Sequence, residues 1–324
     1  MTTESRAPGV TDCSLYRSAL RVVSGLPDPT PYPSGVAQRC AVLASVPPVR
    51  RKMVKRATDV TQFHSVDSVD ESHFLIDALE RLRALEGGRT ARAALIDRLS
   101  LSQGDSVIDV GCGFGDEAAE MARRVGPTGR VVGVDLSENM IGEARRRHPA
   151  SIVQLSWRIA DARHLPFEDH SFEAGGAATL LQHLPDPAGV LQEMTRVLRP
   201  GGRLAVLEFD HATTFLDSPD PETTRVICET STTAFVQGWM GRQLPRLFRW
   251  AGLQDISVEP MTVLGAFDVA QLILGRHVNW LRDRGTLSSD VVERWWSQLA
   301  KADQAGVFTM GTTTFLVTGT KRWR

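Results

Sequence analysis

A glycine-rich turn between a short apolar run and a helical pattern constrains the fold of this chain most strongly. The mostly apolar run covers Val107–Val110, and glycines then alternate at Gly111, Gly113 and Gly115. A helix-forming segment follows over Glu117–Arg124. Strand, glycine turn and helix in this order bring backbone N–H groups close to a ligand, because glycine has no side chain in the way. The segment predicts a small-ligand site at the end of a first strand.

Strand and helix patterns alternate along the chain after this turn. The predicted strands are Val107–Val110, Arg130–Asp135, Ile152–Ile159, Phe172–Ala178, Arg203–Phe209, Gln254–Glu259 and Thr313–Thr320. Helix-length crossovers separate the first five, and such crossovers join parallel strands of one sheet. The pattern predicts an α/β fold, with a Rossmann-like, seven-stranded, mostly parallel sheet covered by helices on both faces.

The first part of the chain has a different composition. Residues 1–60 are rich in proline, which breaks regular elements, and residues 50–56 form a basic cluster. Such a charge cluster is typical of a solvated segment. We expect residues 1–60 to be a poorly packed leader, and Met53 is a candidate for the natural start.

Two helical regions flank or interrupt the strand pattern. Residues 61–104 are predicted to form an N-terminal helical lid, which covers the sheet or roofs a pocket, ahead of the ligand-binding domain at 105–324. Between strands six and seven, residues of about 265–306 predict a helical cap. The cap carries large rings, which line a pocket or pack the cap onto the sheet; these are Trp280, Trp295 and Trp296.

Composition narrows the class of partner. The 324 residues carry a formal net charge of −1, which offers no basic surface for nucleic acid. The four cysteines lack metal-ligand or disulfide spacing, and the histidines and carboxylates do not cluster, so we expect no metal. No apolar run reaches the length of a membrane span. We expect a cytoplasmic protein with a small-molecule substrate, no nucleic acid and no membrane partner, and a homodimer is left open.

Glycine spacing separates the classes of ligand. The dinucleotide fingerprint has its third glycine five residues after its first, whereas these glycines follow at two-residue steps. No Lys-Ser/Thr pair follows them, as a phosphate-binding loop would require. Asp116 and Glu117 would repel a pyrophosphate at the helix N-terminus. A ligand with an amino-acid part and a sulfonium charge suits this turn better.

Five ordered motifs then carry a family resemblance. They are Val107–Gly115, Val132–Met140, Ala160–Phe167, Leu181–Asp186 and Glu193–Gly202. With this order and these separations, the chain resembles class I S-adenosylmethionine-dependent methyltransferases, in their ubiquinone/menaquinone-biosynthesis-like small-molecule branch. The resemblance is strong over about Thr90–Phe209. It implies S-adenosyl-L-methionine as the cofactor.

The resemblance also implies roles for matching residues. Gly111, Gly113 and Gly115 would let the backbone approach the methionine part and the ribose. Asp109 would orient the turn and the ligand's ammonium group. Asp135 would accept hydrogen bonds from both ribose hydroxyls, since a carboxylate only accepts. The whole expected cofactor set is Asp109, Gly111, Cys112, Gly113, Gly115, Asp135, Leu136, Met140, Asp161, Ala162 and Ala178.

The adenine contacts have structural alternatives. By resemblance, Leu136 and Met140 would flank the adenine, while Asp161 and Ala162 would contact its polar edge. Met140 could equally serve core packing and Asp161 a loop cap, just as Gly113 could serve turn geometry alone.

The chain departs from the family pattern at two points. Phe114 stands where a small or hydroxyl residue is usual, and it is expected to crowd the pocket. Gly175 and Gly176 weaken the fourth strand, but they let a neighbouring backbone or ligand come close. Both departures concern the methionine end of the cofactor site.

Three residues are candidates for catalysis. His183 follows the fourth strand on the ligand side of the sheet, and its ordinary pKa suits a general base; alternatively, it caps the next helix. Asp210 and His211 follow the fifth strand and are candidates for substrate orientation or base work. Arg242 either binds an acidic substrate group or anchors its loop.

Two functions of different class remain open. The first is O- or C-methylation of a secondary metabolite or quinone-like compound. The second is a cofactor-binding family member that catalyses a non-methylating step or acts as a binding module, which Phe114 and the Gly175-Gly176 pair keep open.

Overall fold

A seven-stranded sheet forms the centre of the molecule. The computed structural model describes residues 79–148, 152 and 154–323, so the leader, Met53 and residues 61–78 of the predicted lid lie outside the described residues. The strand order is β3-β2-β1-β4-β5-β7-β6. The strands are β1 (Ser106–Val110), β2 (Arg130–Asp135), β3 (Leu155–Ile159), β4 (Phe172–Ala178), β5 (Leu198–Leu216), β6 (Leu253–Gly265) and β7 (Met310–Lys321).

Strand directions make the sheet mixed. Strands β1 to β5 pair in parallel, as the helical crossovers predict. Strand β7 lies between β5 and β6 and runs antiparallel to both. Because β1, β2, β4 and β5 are parallel, their carboxyl ends meet at one edge of the sheet. The glycine turn lies at that edge.

Helices cover both faces of the sheet. Alternate residues of a strand face opposite sides: Val107 packs with Leu95 and Met121 on one face, and Ile108 with Leu191 and Phe248 on the other. Within the described residues, no helix is both long enough and apolar enough to cross a membrane. The helices are α1 (Glu86–Arg98), α2 (Asp116–Val125), α3 (Glu138–Arg147), the 3-10 helix (Leu181–His183), α4 (Pro187–Val197), α5 (Pro221–Ala234), α6 (Met240–Trp250), α7 (Phe267–Asp283) and α8 (Ser289–Gln304).

The last three strands are longer than predicted. Strand β5 continues to Leu216, and its register with β7 shifts between Asp210 and Phe215. Residues 210–216 lack the alternation of apolar and polar residues that marks a strand, so the pattern ends at Phe209. The added length carries the sheet toward the cap.

Helices α5, α7 and α8 enclose a separate core of their own. Trp295 is fully buried there, and its indole N–H donates to Thr224 Oγ1 over 2.9 Å. Trp296 packs edge-on against Trp295, with ring centroids 4.7 Å apart. The structure therefore favours packing of the cap, rather than pocket lining, as the role of these two rings.

The described part of the lid contains a short break between two helical segments. Residues 79–84 are helical, the chain bends at Leu85, and Gly87 and Gly88 lie inside α1. A Cβ at Gly87 would lie 3.1 Å from the Cα of Val263. Gly87 therefore lets α1 lie close to β6.

Candidate active site

The glycine turn folds back against the end of β2. The backbone N–H groups of Gly111 and Cys112 both donate to the carbonyl of Val134, over 2.7 and 2.9 Å. Gly111 and Gly113 have φ angles of +71° and +50°, which favour glycine because other L-residues pay a steric cost there. A Cβ at Gly113 would meet no atom within 4 Å. Gly113 therefore leaves an open cradle beside the turn.

Gly115 and Cys112 serve the packing of the turn. A Cβ at Gly115 would lie only 2.1 Å from the Trp157 ring, and Gly115 is also the N-cap of α2 with φ +81°. Cys112 is buried, and its Sγ lies close to β2. A Cβ placed on Gly133 of that strand would be 3.1 Å from this sulfur. Neither residue belongs to the lining of the cavity described below.

Asp135 ends β2 with its carboxylate held by backbone donors. Oδ2 accepts from the N–H of Gly113 and Oδ1 from the N–H of Ser137, each over 3.0 Å. Ser137 in turn caps α3 by accepting from Met140 N over 3.1 Å. Two oxygens that can each accept more than one hydrogen bond are thus fixed beside the open cradle.

Leu136 and Met140 form an apolar part of the cavity wall, next to the loop that carries Asp161. Leu136 is 51% exposed, whereas Met140 is 4% exposed and lines both the core and the cavity. Asp161 is bound by its neighbour Arg163, with Oδ2 2.6 Å from Nη2, and this ion pair lowers the pKa of the carboxyl. Asp161 therefore stabilises its own loop, although it and Ala162 also border the cavity.

Asp109 lies beneath the turn instead of on the cavity wall. Its side chain is buried, and within the described part of the chain its Oδ2 has no hydrogen-bond partner. Burial, then the nearby Glu117, raises the pKa of this carboxyl well above its usual range. An added positive charge would favour its ionised form.

Two arginines that the sequence patterns did not single out border the same region. Arg83 and Arg92 both line the cavity and both pair with buried Glu117, over 2.6 and 3.2 Å. Glu117 was expected to repel a pyrophosphate, but its charge is balanced here by the arginines. No local motif marks this cluster, because it joins three separate segments.

A cavity of about 280 Å³ joins these residues to the carboxyl ends of β4 and β5. Its wall includes apolar side chains from residues 79–84, α5 and α7. It brings together most of the predicted site, namely Gly111, Gly113, Asp135, Leu136, Met140, Asp161, Ala162, Ala178, His183 and His211.

A glutamine joins the two histidines of this wall. The Gln182 amide nitrogen lies 3.0 Å from His183 Nε2, and its oxygen lies 3.0 Å from His211 Nε2. His211 also stacks on Phe235, with ring centroids 3.5 Å apart. Burial, and then the neighbouring His183, lowers the pKa of His211 to about 3. Gln182 was missed because a lone glutamine carries no sequence signal.

Glu208 supports the segment that carries this bridge. Its fully buried carboxylate accepts from the N–H groups of Leu180 and Leu181, over 2.9 and 2.6 Å. Burial raises the pKa of this carboxyl to about 8. Glu208 thus holds the start of the 3-10 helix on which Gln182 and His183 lie.

Asp210 does not reach the cavity. Its fully buried carboxylate pairs with Arg242, with Oδ1 2.9 Å from Nη2, and it also accepts from Ala212 N over 3.2 Å. Asp210 is therefore not placed for the predicted substrate orientation or base work. Alternate residues of a strand face opposite sides, and the cavity-lining residues are its neighbours Phe209 and His211. Arg242 accordingly anchors this segment.

Both departures from the family pattern have packing explanations. Phe114 is buried away from the cavity, with the Arg147 guanidinium 4.2 Å from its ring centroid, so the expected crowding of the pocket does not occur. A Cβ at Gly176 would lie 2.9 Å from the Met121 side chain. Gly176 therefore makes room for the helices on that face, and a Cβ at Gly175 would meet side chains of the neighbouring strands β1 and β5.

The chain has related proteins with and without assigned activity. Residues 108–206 match the methyltransferase domain family. The methyltransferase GfsG of Streptomyces halstedii is 37% identical over 201 residues, which cover 59% of this chain and 70% of GfsG. An uncharacterized 37.1 kDa protein of transposon TN4556 of Streptomyces fradiae is 35% identical over 246 residues, covering 75% of this chain and 70% of that protein.

Two further similarities concern the central domain and the fold. Demethylmenaquinone methyltransferase of Staphylococcus aureus is 36% identical over 137 residues, which cover 42% of this chain and 56% of that enzyme. The crystal structure of YcgJ from Bacillus subtilis has a TM-score of 0.51 at 18% identity, covering 73% of this chain and all of YcgJ. The chain belongs to the class I S-adenosylmethionine-dependent methyltransferases of small-molecule type.

Proposed function

We propose that this methyltransferase acts on a neutral, largely apolar small molecule with a hydroxyl group, of the quinone-like or secondary-metabolite kind. The observation that carries the proposal is the His183–Gln182–His211 bridge in the same cavity wall as Gly113 and Asp135. Removing the hydroxyl proton activates either that oxygen or a ring carbon conjugated with it.

The chain's residues fit S-adenosylmethionine on their own geometry. Gly113 leaves an open cradle, Asp135 presents a fixed carboxylate for the ribose hydroxyls, and buried Asp109 has an oxygen with no hydrogen-bond partner in the described region. Leu136 and Met140 offer apolar surface for the adenine. When bound, the cofactor supplies an electrophilic methyl group on a sulfonium, so the protein mainly aligns the partners and excludes water.

His183 is the base in this proposal. The Gln182 amide N–H donates to its Nε2, so the neutral ring has its lone pair at Nε2 and its hydrogen at Nδ1. For the proton transfer, the acceptor's hydroxyl replaces the Gln182 amide N–H at the Nε2 lone pair. The proton moves to Nε2 and its electron pair stays on the acceptor oxygen, while the Gln182 oxygen keeps its hydrogen bond from His211 Nε2–H. His211, whose pKa is about 3, stays neutral and orients Gln182.

The charges on the cavity wall favour a neutral acceptor. Among the described residues that line the cavity, the arginines are Arg83 and Arg92, and both pair with Glu117. A phosphate or carboxylate on the acceptor would have to compete with Glu117 for them. The similarity to demethylmenaquinone methyltransferase points to the same neutral, ring-containing class.

The lid and the cap are proposed to close over this acceptor. Leu79 and Leu82 border the cavity from the lid at 61–104, and Leu272 and Ile273 of α7 border it from the cap at about 265–306. Apolar side chains from both sides exclude water from the reacting atoms. The cytoplasmic location and the homodimer stay predictions.

The test measures S-adenosylhomocysteine release with a set of naphthols and hydroquinones. His183→Gln and Gln182→Leu should each lower kcat about 100-fold, as expected for lost general-base catalysis, with cofactor affinity unchanged. His164→Gln is the matched control, because His164 is exposed and outside the cavity lining. Undiminished turnover in His183→Gln would eliminate the base role.

A further inference from the structure

A histidine of the cap has no assigned role in this mechanism. His277 lies on α7, is 6% exposed, and lines the cavity. Its ring stacks on that of Trp280, with centroids 5.6 Å apart and planes at 23°. The neighbouring wall residues on α7, which include Leu272, Ile273 and Leu274, are apolar.

Both ring nitrogens of His277 are buried and lack a hydrogen-bond partner among the described residues. A neutral imidazole has one donor and one acceptor, and a buried polar group left without a partner is costly. Burial also lowers the pKa of His277 to about 4. The ring is therefore neutral at pH 7 and offers hydrogen bonds without charge.

The shape of the ring lets it offer a nitrogen to the cavity. The two ring orientations related by a 180° turn about the Cβ–Cγ bond have nearly the same outline, and they exchange carbon and nitrogen positions. In one of these two orientations, the edge of the ring that borders the cavity therefore carries a nitrogen. The packing against Trp280 is compatible with both, because the ring plane is unchanged.

We propose that His277 is a specificity-determining residue, which hydrogen-bonds a second oxygen group of the acceptor, away from the atom that is methylated. The inference rests on the proposed function. It narrows the acceptor class to neutral, apolar molecules with at least two oxygen substituents, such as a diol, a hydroxyketone or a hydroquinone. One oxygen would lie at the His183–Gln182–His211 bridge, and the other at His277 in the cap.

The test is equilibrium binding of paired probes to the full chain loaded with S-adenosylhomocysteine. The probes are a naphthol with one hydroxyl and a set of dihydroxynaphthalenes. Wild-type protein should bind the best dihydroxynaphthalene about tenfold more tightly than the naphthol, the effect of one additional hydrogen bond. His277→Leu should lose that preference and keep its affinity for the naphthol, while His277→Gln, which retains a donor and an acceptor, should keep part of it.

One control variant separates the role of the His277 nitrogens from that of ring packing. Trp280→Phe reduces the ring that stacks on His277 and leaves both imidazole nitrogens in place, so it should leave the preference unchanged. Binding of probes without methyl transfer would count against the proposed function and leave His277 supported. A preference that survives in His277→Leu, or no binding of any probe by the wild-type protein, would overturn the role of His277.

Discussion

The two halves of the cavity are built by different means. The half proposed to bind the cofactor comes from the glycine turn and the end of β2, where backbone N–H groups and Asp135 lie within a short stretch of chain. The half proposed to bind the acceptor combines Gln182 and His183 with His211 and, from the cap, His277. Side chains from distant segments define it.

This difference explains why the first half of the cavity is recognisable from the sequence and the second is not. A turn whose geometry depends on positive φ angles requires glycine at set positions, so its chemistry is visible as a local pattern. Side chains that meet only after folding follow no such spacing. Recognition of the shared methyl donor is local, and recognition of the acceptor is tertiary.

The largest expected effect distinguishes two glycines of the same turn. Gly115→Ala should lower the free energy of unfolding by about 2–4 kcal/mol, since its methyl group meets the Trp157 ring at a left-handed backbone position. Gly113→Ala should cost only about 1 kcal/mol, because the space around it is open. Chemical denaturation measures both values.

Cofactor binding by these variants sharpens the contrast. The Gly113→Ala methyl group occupies the open cradle, so the affinity for S-adenosylhomocysteine should fall at least about tenfold. Calorimetric titration measures this loss. Wild-type affinity in Gly113→Ala would mean that Gly113 serves turn geometry alone.

The second effect compares two carboxylates of the cofactor half. Asp135→Asn should weaken S-adenosylhomocysteine binding about 100-fold, because hydrogen bonds to a charged acceptor are among the stronger ones. Asp161→Asn should change it less than about fivefold, since Arg163 already pairs with that carboxylate. Equal losses in the two variants would contradict the difference drawn between them.

The smallest effect is a change with pH in the free energy of unfolding, which arises from His277. The pKa of His277 is 6.5 in the unfolded chain and about 4 in the fold. Below pH 6.5 the unfolded chain therefore takes up a proton that the folded chain does not, and folding loses stability as the pH falls. His277→Leu removes this loss, so its stability relative to wild type should rise by about 2 kcal/mol between pH 6.5 and 5.

Denaturation curves at several pH values measure that difference. His164→Leu serves as the control, because His164 is exposed and its substitution should leave the pH dependence nearly unchanged. A constant difference between His277→Leu and wild type across this range would show that His277 is charged in the fold.

Much of the fold was predictable because it follows from local patterns. Helix-length crossovers separate the parallel strands β1 to β5, and β1, β2 and β5 carry mostly apolar runs. The continuation of β5 beyond Phe209 was not predictable, since residues 210–216 are mostly polar and become a strand only by pairing with β7. In this strand Asp210 lies between the cavity-lining Phe209 and His211, so its side chain faces away from the cavity and pairs with Arg242.

The sequence by itself determined the glycine turn, the carboxylate of Asp135 beside it and the class of methyl donor. Backbone geometry ties these features to residue types at set spacings. Only the tertiary structure decided which polar side chains share the cavity with them. Gln182 meets His211, and His277 reaches the wall without a partner among the described residues, through packing of elements far apart in the chain. Such contacts depend on how the cap and the sheet edge fit together, which no local pattern encodes.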